Sequence, residues 1–490
     1  MTIAILLAYL VLVLAIGLSA HRLFRNTGED YFVANRSLGP FVLLMTLFGT
    51  HMTAFTILGA SGEAYRTGIG VFSLMASSSA LIVPTVFLVV GTRLWSIGKR
   101  FGYVTQVQYF RERWGSDALG LLLFVVLICL LIPYVLISMM AGGIITSEIT
   151  AGAVPAWLGN LAICLVVLAY VEYGGMRGTA WANTFQTLVF MSFGAATVFI
   201  VVRQMGGLGA TFGRLASSHP ELLVRGNNVQ PLQLLSYTLL PLSAGMFPHL
   251  FIHWLTARRA AHFRYTVVLY PLFIAVVWVP SVLLGVLGND PFPGLAGPEA
   301  SSILLRLIDT YSPGLLAGLL AAGVFSACMN SVDSQVLALG NMFTHDIVRH
   351  YGFHDRMSEA QQVRVGRLFV AGILVLAFFL SLVTDHGIFR LGVWSFTGFA
   401  SLFPIAIAAL YWRRSTRQGA IASVLGVAVL WLYFFLWSGL QADGSMFGTG
   451  LMPVAVILPA AALILVIVSL LTPPPDRAII ARFFPASERT

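Results

Sequence analysis

The chain of 490 residues is 58% hydrophobic and only 10% charged, with a mean hydropathy of +0.88, which excludes a water-soluble globule of this size. Its net charge of +9 comes from arginines dispersed along the chain, with no compact basic domain, so a nucleic-acid partner is not expected. Lipid is the solvent for most of its side chains.

A bilayer core about 30 Å thick needs roughly 20 apolar residues per helix, and the chain supplies such runs one after another. They do not alternate as barrel strands do, so an all-α polytopic membrane protein of about thirteen transmembrane helices is predicted. The first span, 2–20, lacks the basic start and small-residue cleavage site of a signal peptide and is expected to be retained. The second, 39–61, is interrupted at Phe48-Gly49-Thr50-His51-Met52-Thr53. Spans 69–92, 118–146, 156–173 and 180–202 follow. The seventh, 232–256, is interrupted at Pro241-Leu242-Ser243-Ala244-Gly245-Met246-Phe247-Pro248-His249. After 266–288 comes 313–342, then 368–384, 390–411, 418–439 and 451–471.

With the N-terminus outside, the outer loops hold only Arg66, Arg203, Arg214, Arg225, Arg306 and Arg390, and all the other basic residues fall inside. The positive-inside rule therefore selects N-out, C-in, with an odd number of spans and a cytoplasmic tail, 472–490. Loops 93–117, 203–231, 289–312 and 343–367 are too short for a core of their own, so residues 1–490 read as a single membrane domain that must itself hold the function, as channel, enzyme, receptor or carrier. Cys129, Cys164 and Cys328 lie in apolar runs without metal-ligand spacing or bridging partners, and read as packing residues.

The two interrupted spans lie five spans apart. An inverted repeat brings such breaks face to face at the midplane, where free carbonyls and amides can hold an ion and orient a solute. Gly and Pro are also common in uninterrupted membrane helices, and the matched spacing is what favours the functional reading. Asp333 lies deep in the ninth span, in Ser326-Ala327-Cys328-Met329-Asn330-Ser331-Val332-Asp333-Ser334-Gln335. A charged Asp at a helix centre costs about 2.5–3.5 kcal/mol on insertion scales, so it should face a cavity, an ion or a partner, or be protonated. Asn330, Ser331 and Ser334 offer oxygens within one turn, the ligands hard cations take. His51, at the first break, has three open roles: solute contact, a bridge to Asp333, or a coupling proton. His249 and His253 share a helix face and read as packing or cytoplasmic-gate residues. Phe55 reads as an aromatic wall of a solute site.

These residues, with Asp30-Tyr31-Phe32, Asn35-Arg36-Ser37-Leu38-Gly39, Tyr170-Val171-Glu172-Tyr173-Gly174-Gly175-Met176-Arg177, Thr344-His345-Asp346-Ile347, and Phe403-Pro404 with Trp412, Thr416, Gly419 and Ala420, resemble the sodium:solute symporter family. The resemblance covers nearly the whole chain. It implies a LeuT-type core of two inverted five-helix repeats, 39–202 and 232–411, with an extra N-terminal helix at 2–20 and two C-terminal helices within 418–471. It also implies a principal sodium site made by carbonyls of Gly49 and Met52 and side chains of Asn330 and Ser331. Where several relatives carry Asp in a Trp-Thr-Asp motif, this chain reads Trp181-Ala182-Asn183. A carboxylate appears instead at Asp333, so Asn183, Asp333 and Ser334 read as an auxiliary ion site whose charge has moved to the facing helix. His51, Thr53, Phe55, Ala244 and Met246 are the expected solute residues.

The expected function is Na+-coupled symport of a small organic solute, such as a carboxylate or an amino-acid-like compound, by alternating access in the bacterial cytoplasmic membrane. No cofactor beyond Na+ is expected, and the expected state is a monomer or weak oligomer. Two alternatives stay open: a proton-coupled transporter of the same fold using His51 and Asp333, and a transporter-like sensor with a separate output partner. An intramembrane enzyme is disfavoured because no nucleophile, base and orienting group converge.

Overall fold

A computed structural model describes residues 2–19, 33–224, 229–352, 357–384, 386–436, 446 and 448–484. Asp30-Tyr31-Phe32, the side chains of Asn35 and Tyr170 to Gly175, and Arg22, Arg25, Arg225, Arg356 and Arg489 lie outside this description, as do the extreme ends of the first and twelfth predicted spans.

The described residues are nearly all helical, as lipid requires of a backbone that must satisfy its own polar groups. In chain order they are α1 (Thr2–Ser19), α2 (Pro40–His51), α3 (Phe55–Thr67), α4 (Phe72–Phe101), α5 (Gln106–Trp114), α6 (Asp117–Ile149) and α7 (Ala156–Gln204). Then come α8 (Pro231–Gly245), α9 (Pro248–Leu255), α10 (Ala260–Leu287), α11 (Gly314–Arg349), α12 (Glu359–Val383), α13 (Ile388–Tyr411), α14 (Arg417–Leu436), α15 (Val454–Leu471) and α16 (Arg477–Phe483). Among the described residues 9 helices are long and apolar enough to cross a membrane, or up to 11 when each bent pair counts as one span. Ala4–Ile16 and Ala156–Leu168 are shorter apolar helices, so the count of thirteen is not confirmed. Both counts are of the described residues alone, and the helices that hold these two stretches run on, Thr2–Ser19 and Ala156–Gln204.

Both predicted breaks are present. The α2/α3 pair bends by 55° and the α8/α9 pair by 47°. At the first, Met52 is extended (φ −86, ψ 113) and closes α2 by donating its N–H to Phe48 O. Thr53 Oγ1 then accepts from Phe55 N at 3.0 Å and starts α3. At the second, Phe247 is extended (φ −65, ψ 119), as expected of the residue before a proline, and Pro248 opens α9. Each break leaves terminal carbonyls without an intrahelical donor.

The Arg-rich ends of the broken pairs are tied together. Leu38 N donates to Thr256 O at 3.0 Å and Arg258 N to Leu38 O at 3.2 Å, while Arg36 reaches Leu255 O and Tyr103 O. Helix α16, from the predicted tail, docks on the same face: Arg482 pairs with Glu112 at 2.5 Å, and the Phe483 ring lies 5.4 Å from that of Phe101.

Arg113 of α5 is fully buried and donates to Ala409 O, Trp412 O and Ser415 Oγ at 3.0, 3.1 and 3.2 Å, holding the end of α13. Arg113→Met keeps the stem and removes those donors; Trp412 O keeps the N–H and hydroxyl of Ser415, while Ala409 O is orphaned at a cost of about 1–3 kcal/mol. The expected result is a thermal midpoint lowered by several degrees in detergent, with the Na+ response of the remaining folded protein unchanged.

Candidate functional site

The site lies where α2, α7, α9 and α11 meet. Helix α11 is buried almost throughout its middle, and Asn330, Ser331, Asp333 and Ser334 are each 0% exposed. Asn330 Nδ2 donates to Asn183 O at 3.0 Å and to Thr187 Oγ1 at 2.9 Å, and Thr187 Oγ1 donates to Met45 O at 3.0 Å. That leaves Asn330 Oδ1 as a buried acceptor with no partner among the described residues. Gly49 faces this contact: a Cβ there would collide with the Thr187 hydroxyl and come within 2.5 Å of Asn330 Nδ2. Ser331 Oγ lies 3.2 Å from Ser138 Oγ of α6.

One turn further on, four buried side chains from four helices form a cluster. Asn183 Nδ2 lies 3.1 Å from Thr50 Oγ1 and 2.8 Å from Ser334 Oγ, and the two hydroxyls are 2.8 Å apart. His253 Nε2 lies 2.9 Å from Ser334 Oγ and 3.3 Å from Thr50 Oγ1. The structure therefore joins Asn183 to Ser334, as expected, but Asp333 hydrogen-bonds neither. Both its carboxylate oxygens are buried without a partner among the described residues.

Of the three roles left open for His51, a bridge to Asp333 is not what the structure shows: His51 Nδ1 pairs with the Tyr270 hydroxyl of α10. The Phe55 ring stacks on Phe389 at 4.8 Å, meets Phe396 edge-on at 4.9 Å, and lies 6.1 Å from Trp278. The rings of Phe55, Phe396 and Trp278 bound a cavity of about 20 Å³ lined by His51, Met52, Phe55, Thr56, Met75, Ser79, Leu240, Pro241, Ser243, Trp278 and Phe396. Such a space accepts about one water, so a solute enters only when helices or side chains part. Of the expected solute residues, His51 and Phe55 line it. Thr53 caps α3, Ala244 is buried off the cavity, and Met246 O accepts from Gln106 Nε2 at 3.0 Å. No Lys, Arg, Asp or Glu lines the cavity, so its polar contacts come from an imidazole and three hydroxyls.

Thr50, Thr187, Ser138 and His253 escaped the sequence reading. Thr50 adjoins Gly49 within the break and Thr187 is one turn from Asn183, so position alone carried a signal. His253 was read, with His249 on the same face, as a packing or cytoplasmic-gate residue and not as part of an ion site. The three cysteines are free, as expected, with Cys129 exposed and Cys164 and Cys328 buried.

Comparison with known proteins adds to this geometry. The model described as "Sodium:solute symporter family" matches residues 31–426. The high-affinity proline transporter PutP of Bacillus subtilis is 24% identical over 479 residues, covering 96% of this chain and 98% of that protein. The sodium/pantothenate symporter of Escherichia coli is 25% identical over 440 residues, covering 87% and 89%. Among solved structures, a Na+-coupled sialic acid symporter in a substrate-bound outward-open state aligns with a TM-score of 0.76 at 17% identity, over 97% of this chain and 99% of that one. The nucleobase-cation-symport-1 family transporter Mhp1 aligns at 0.59 and 14%, over 93% and 99%. These structural likenesses establish a LeuT-type fold. The family match runs through both broken helices and through the helix of Asp333, and the chain belongs to the sodium:solute symporter family, a sodium-coupled transporter of the bacterial cytoplasmic membrane and not an enzyme.

Proposed function

We propose that this chain couples Na+ to a small, compact solute through the crossing of its two broken helices, using the repeats 39–202 and 232–411. The observation that carries the reading is a set of buried oxygens without partners among the described residues, Asn330 Oδ1 and both oxygens of Asp333, on the helix that packs against α2. Gly49 and Met52 carbonyls, with Asn330 and Ser331, form the principal Na+ site. Asn183, Asp333 and Ser334 form the auxiliary one, in which Asp333 supplies the carboxylate. Na+ has no hydrogen to donate and takes hard oxygens, which suits acceptor atoms that protein donors leave unfilled.

The solute occupies the space between the first break and the aromatic rings, with His51, Thr53 and Phe55 on one side and the turn around Ala244 and Met246 on the other. A lining of rings and a few hydroxyls, without a charged side chain, suits a solute with an apolar body whose polar group meets His51 and helix ends. Na+ binding outside favours the outward-open form, the solute completes closure, and inward opening releases both. Each ligand drives the cycle only through its unequal affinity for the two forms.

Uptake into proteoliposomes tests this with labelled small carboxylates, amino acids and sugars, with pH and membrane potential clamped. Accumulation that requires an inward Na+ gradient and is lost in Ser331→Ala is expected. Accumulation that follows a pH gradient and ignores Na+ would overturn the site and favour proton coupling. Within the solute site, Tyr270→Phe removes the partner of His51 and frees its ring to rotate. A several-fold higher KM for solute is expected, with the Na+ requirement unchanged.

A further inference from the structure

We infer that His253 is a positioning residue of the ion site: it accepts the hydroxyl hydrogen of Ser334, turns that oxygen's lone pair toward the ion, and so ties ion occupancy to the second broken helix. The inference rests on the reading of Ser334 as an ion ligand.

Thr50, Asn183, His253 and Ser334 come from α2, α7, α9 and α11, and each is 0% exposed, so water cannot replace a missing partner. The hydrogens can be counted. Asn183 Nδ2 has two, and each hydroxyl has one. The Asn183 pair goes to Thr50 Oγ1 and Ser334 Oγ, at 3.1 and 2.8 Å. The Thr50 hydrogen has Ser334 Oγ at 2.8 Å. With Thr50 donating across that contact, the Ser334 hydrogen has one acceptor left within reach, His253 Nε2 at 2.9 Å; the reverse direction sends the Thr50 hydrogen to the same nitrogen over a longer 3.3 Å. With Nε2 accepting, these four hydrogens are placed and the ring's own hydrogen sits on Nδ1, which is buried without a partner among the described residues. With Nε2 donating, a hydroxyl hydrogen is the one left without an acceptor. Each tautomer leaves one buried donor unpaired, so it is an ion on Ser334 Oγ that favours the bare Nε2, because a ligating hydroxyl needs its hydrogen taken elsewhere.

A hydroxyl oxygen that ligates a cation must point its lone pairs at the ion and its hydrogen elsewhere. In this site the elsewhere is His253. Thr50, which must give up its bond to Ser334 Oγ when an ion takes that lone pair, has the same Nε2 at 3.3 Å. A bare Nε2 has one lone pair, so it serves the nearer hydroxyl, Ser334 at 2.9 Å, and Thr50 at 3.3 Å stays the longer contact. It stands on α9, the inner half of the second broken span, whose Leu255 and Thr256 carbonyls bond the residues just before α2. Ion binding and closure of the Arg-rich face therefore share a residue.

The test uses purified full-length protein in detergent and reads its thermal midpoint against Na+ concentration, with choline as the replacement cation and no solute present. Ser334→Ala and His253→Phe are each expected to raise the Na+ concentration for half-maximal stabilisation by about tenfold, the usual scale for residues that orient metal ligands. His253→Gln, whose amide oxygen can accept the same hydrogen, is expected to stay within about threefold of wild type. The double variant should be little weaker than either single one, because one interaction is removed twice. Loss of response in Ser334→Ala with a wild-type response in His253→Phe overturns the positioning role and leaves the ion site standing. A wild-type response in Ser334→Ala, Ser331→Ala and Asp333→Asn alike overturns the ion site itself, and this inference with it. If His253→Phe does not fold in choline, a folded His253→Gln that has lost the Na+ response overturns the role on its own.

Discussion

Gly49→Ala is expected to abolish sodium-driven uptake while leaving the protein in the membrane. The added Cβ meets the Thr187 hydroxyl and lies 2.5 and 3.0 Å from Nδ2 and Cγ of Asn330, all on helices packed against α2. Overpacking of this kind costs about 1–3 kcal/mol, a fraction of what holds a protein of this size together, so folding survives. The damage falls on the site. Relief requires Asn330 to swing away or α2 to move off α7 and α11, and either displaces the carbonyls of Gly49 and Met52 from the side chains of Asn330 and Ser331. Na+-induced thermal stabilisation should weaken by about 100-fold or vanish, reflecting the sensitivity of a hard-cation site to ligand geometry. Gly194→Ala and Gly372→Ala are the controls. Their Cβ atoms meet nothing within 4 Å, and both should transport as wild type. Normal Na+-driven uptake by Gly49→Ala would show that the ion does not sit between these helices.

Asp333→Asn carries the second large effect, in two parts of different sign. The carboxylate is buried with neither oxygen bonded, so without a cation the Asn variant should be at least as stable as wild type in choline. In Na+ the order reverses, because the variant has no charge to set against the ion. Its half-maximal Na+ concentration should rise at least tenfold, and solute uptake should lose most of its steepness in Na+. The exchange Asn183→Asp with Asp333→Ser returns a carboxylate to the facing helix and should restore part of the response. Position 183 already adjoins Ser334, at 2.8 Å through its amide, so a carboxylate there would face the same hydroxyl. Failure of the exchange to rescue a folded protein would separate Asp333 from the auxiliary site.

The breaks were legible because they are written in backbone chemistry. Pro248 constrains its predecessor, Gly49 permits close approach, and both signals are local. Asp333 was legible for a different reason: a carboxylate in an apolar run is expensive, and expense marks function. The partners of these residues were not legible. Thr50 meets Ser334 across 284 positions and Asn183 across 133. Nothing in a Thr or Ser reveals which helix it will face.

The small cavity beside the first break shows the same limit. Leu240, Pro241 and Ser243 line it, and Ala244 and Met246, expected as solute contacts, stand beside it in the same segment. The chain from Leu240 to Gly245 winds as a tight three-residue turn, so successive side chains point elsewhere than an α-helical reading places them. Phe396 and Trp278 enter its wall from distant helices, and in a chain with 35 Phe and 10 Trp no single ring stands out. The pairing of His51 with Tyr270 again depended on α10 lying beside the first break.

Sequence alone thus determined the solvent, the helical class, the two breaks and the costly carboxylate, since each follows from what lipid does to a backbone or a charge along one segment. Tertiary structure decided which hydroxyl meets which amide, what surrounds Asp333, and which rings border the cavity beside the first break. Those contacts depend on helix rotation and crossing, which are set by packing over the whole bundle and which no local run of residues encodes.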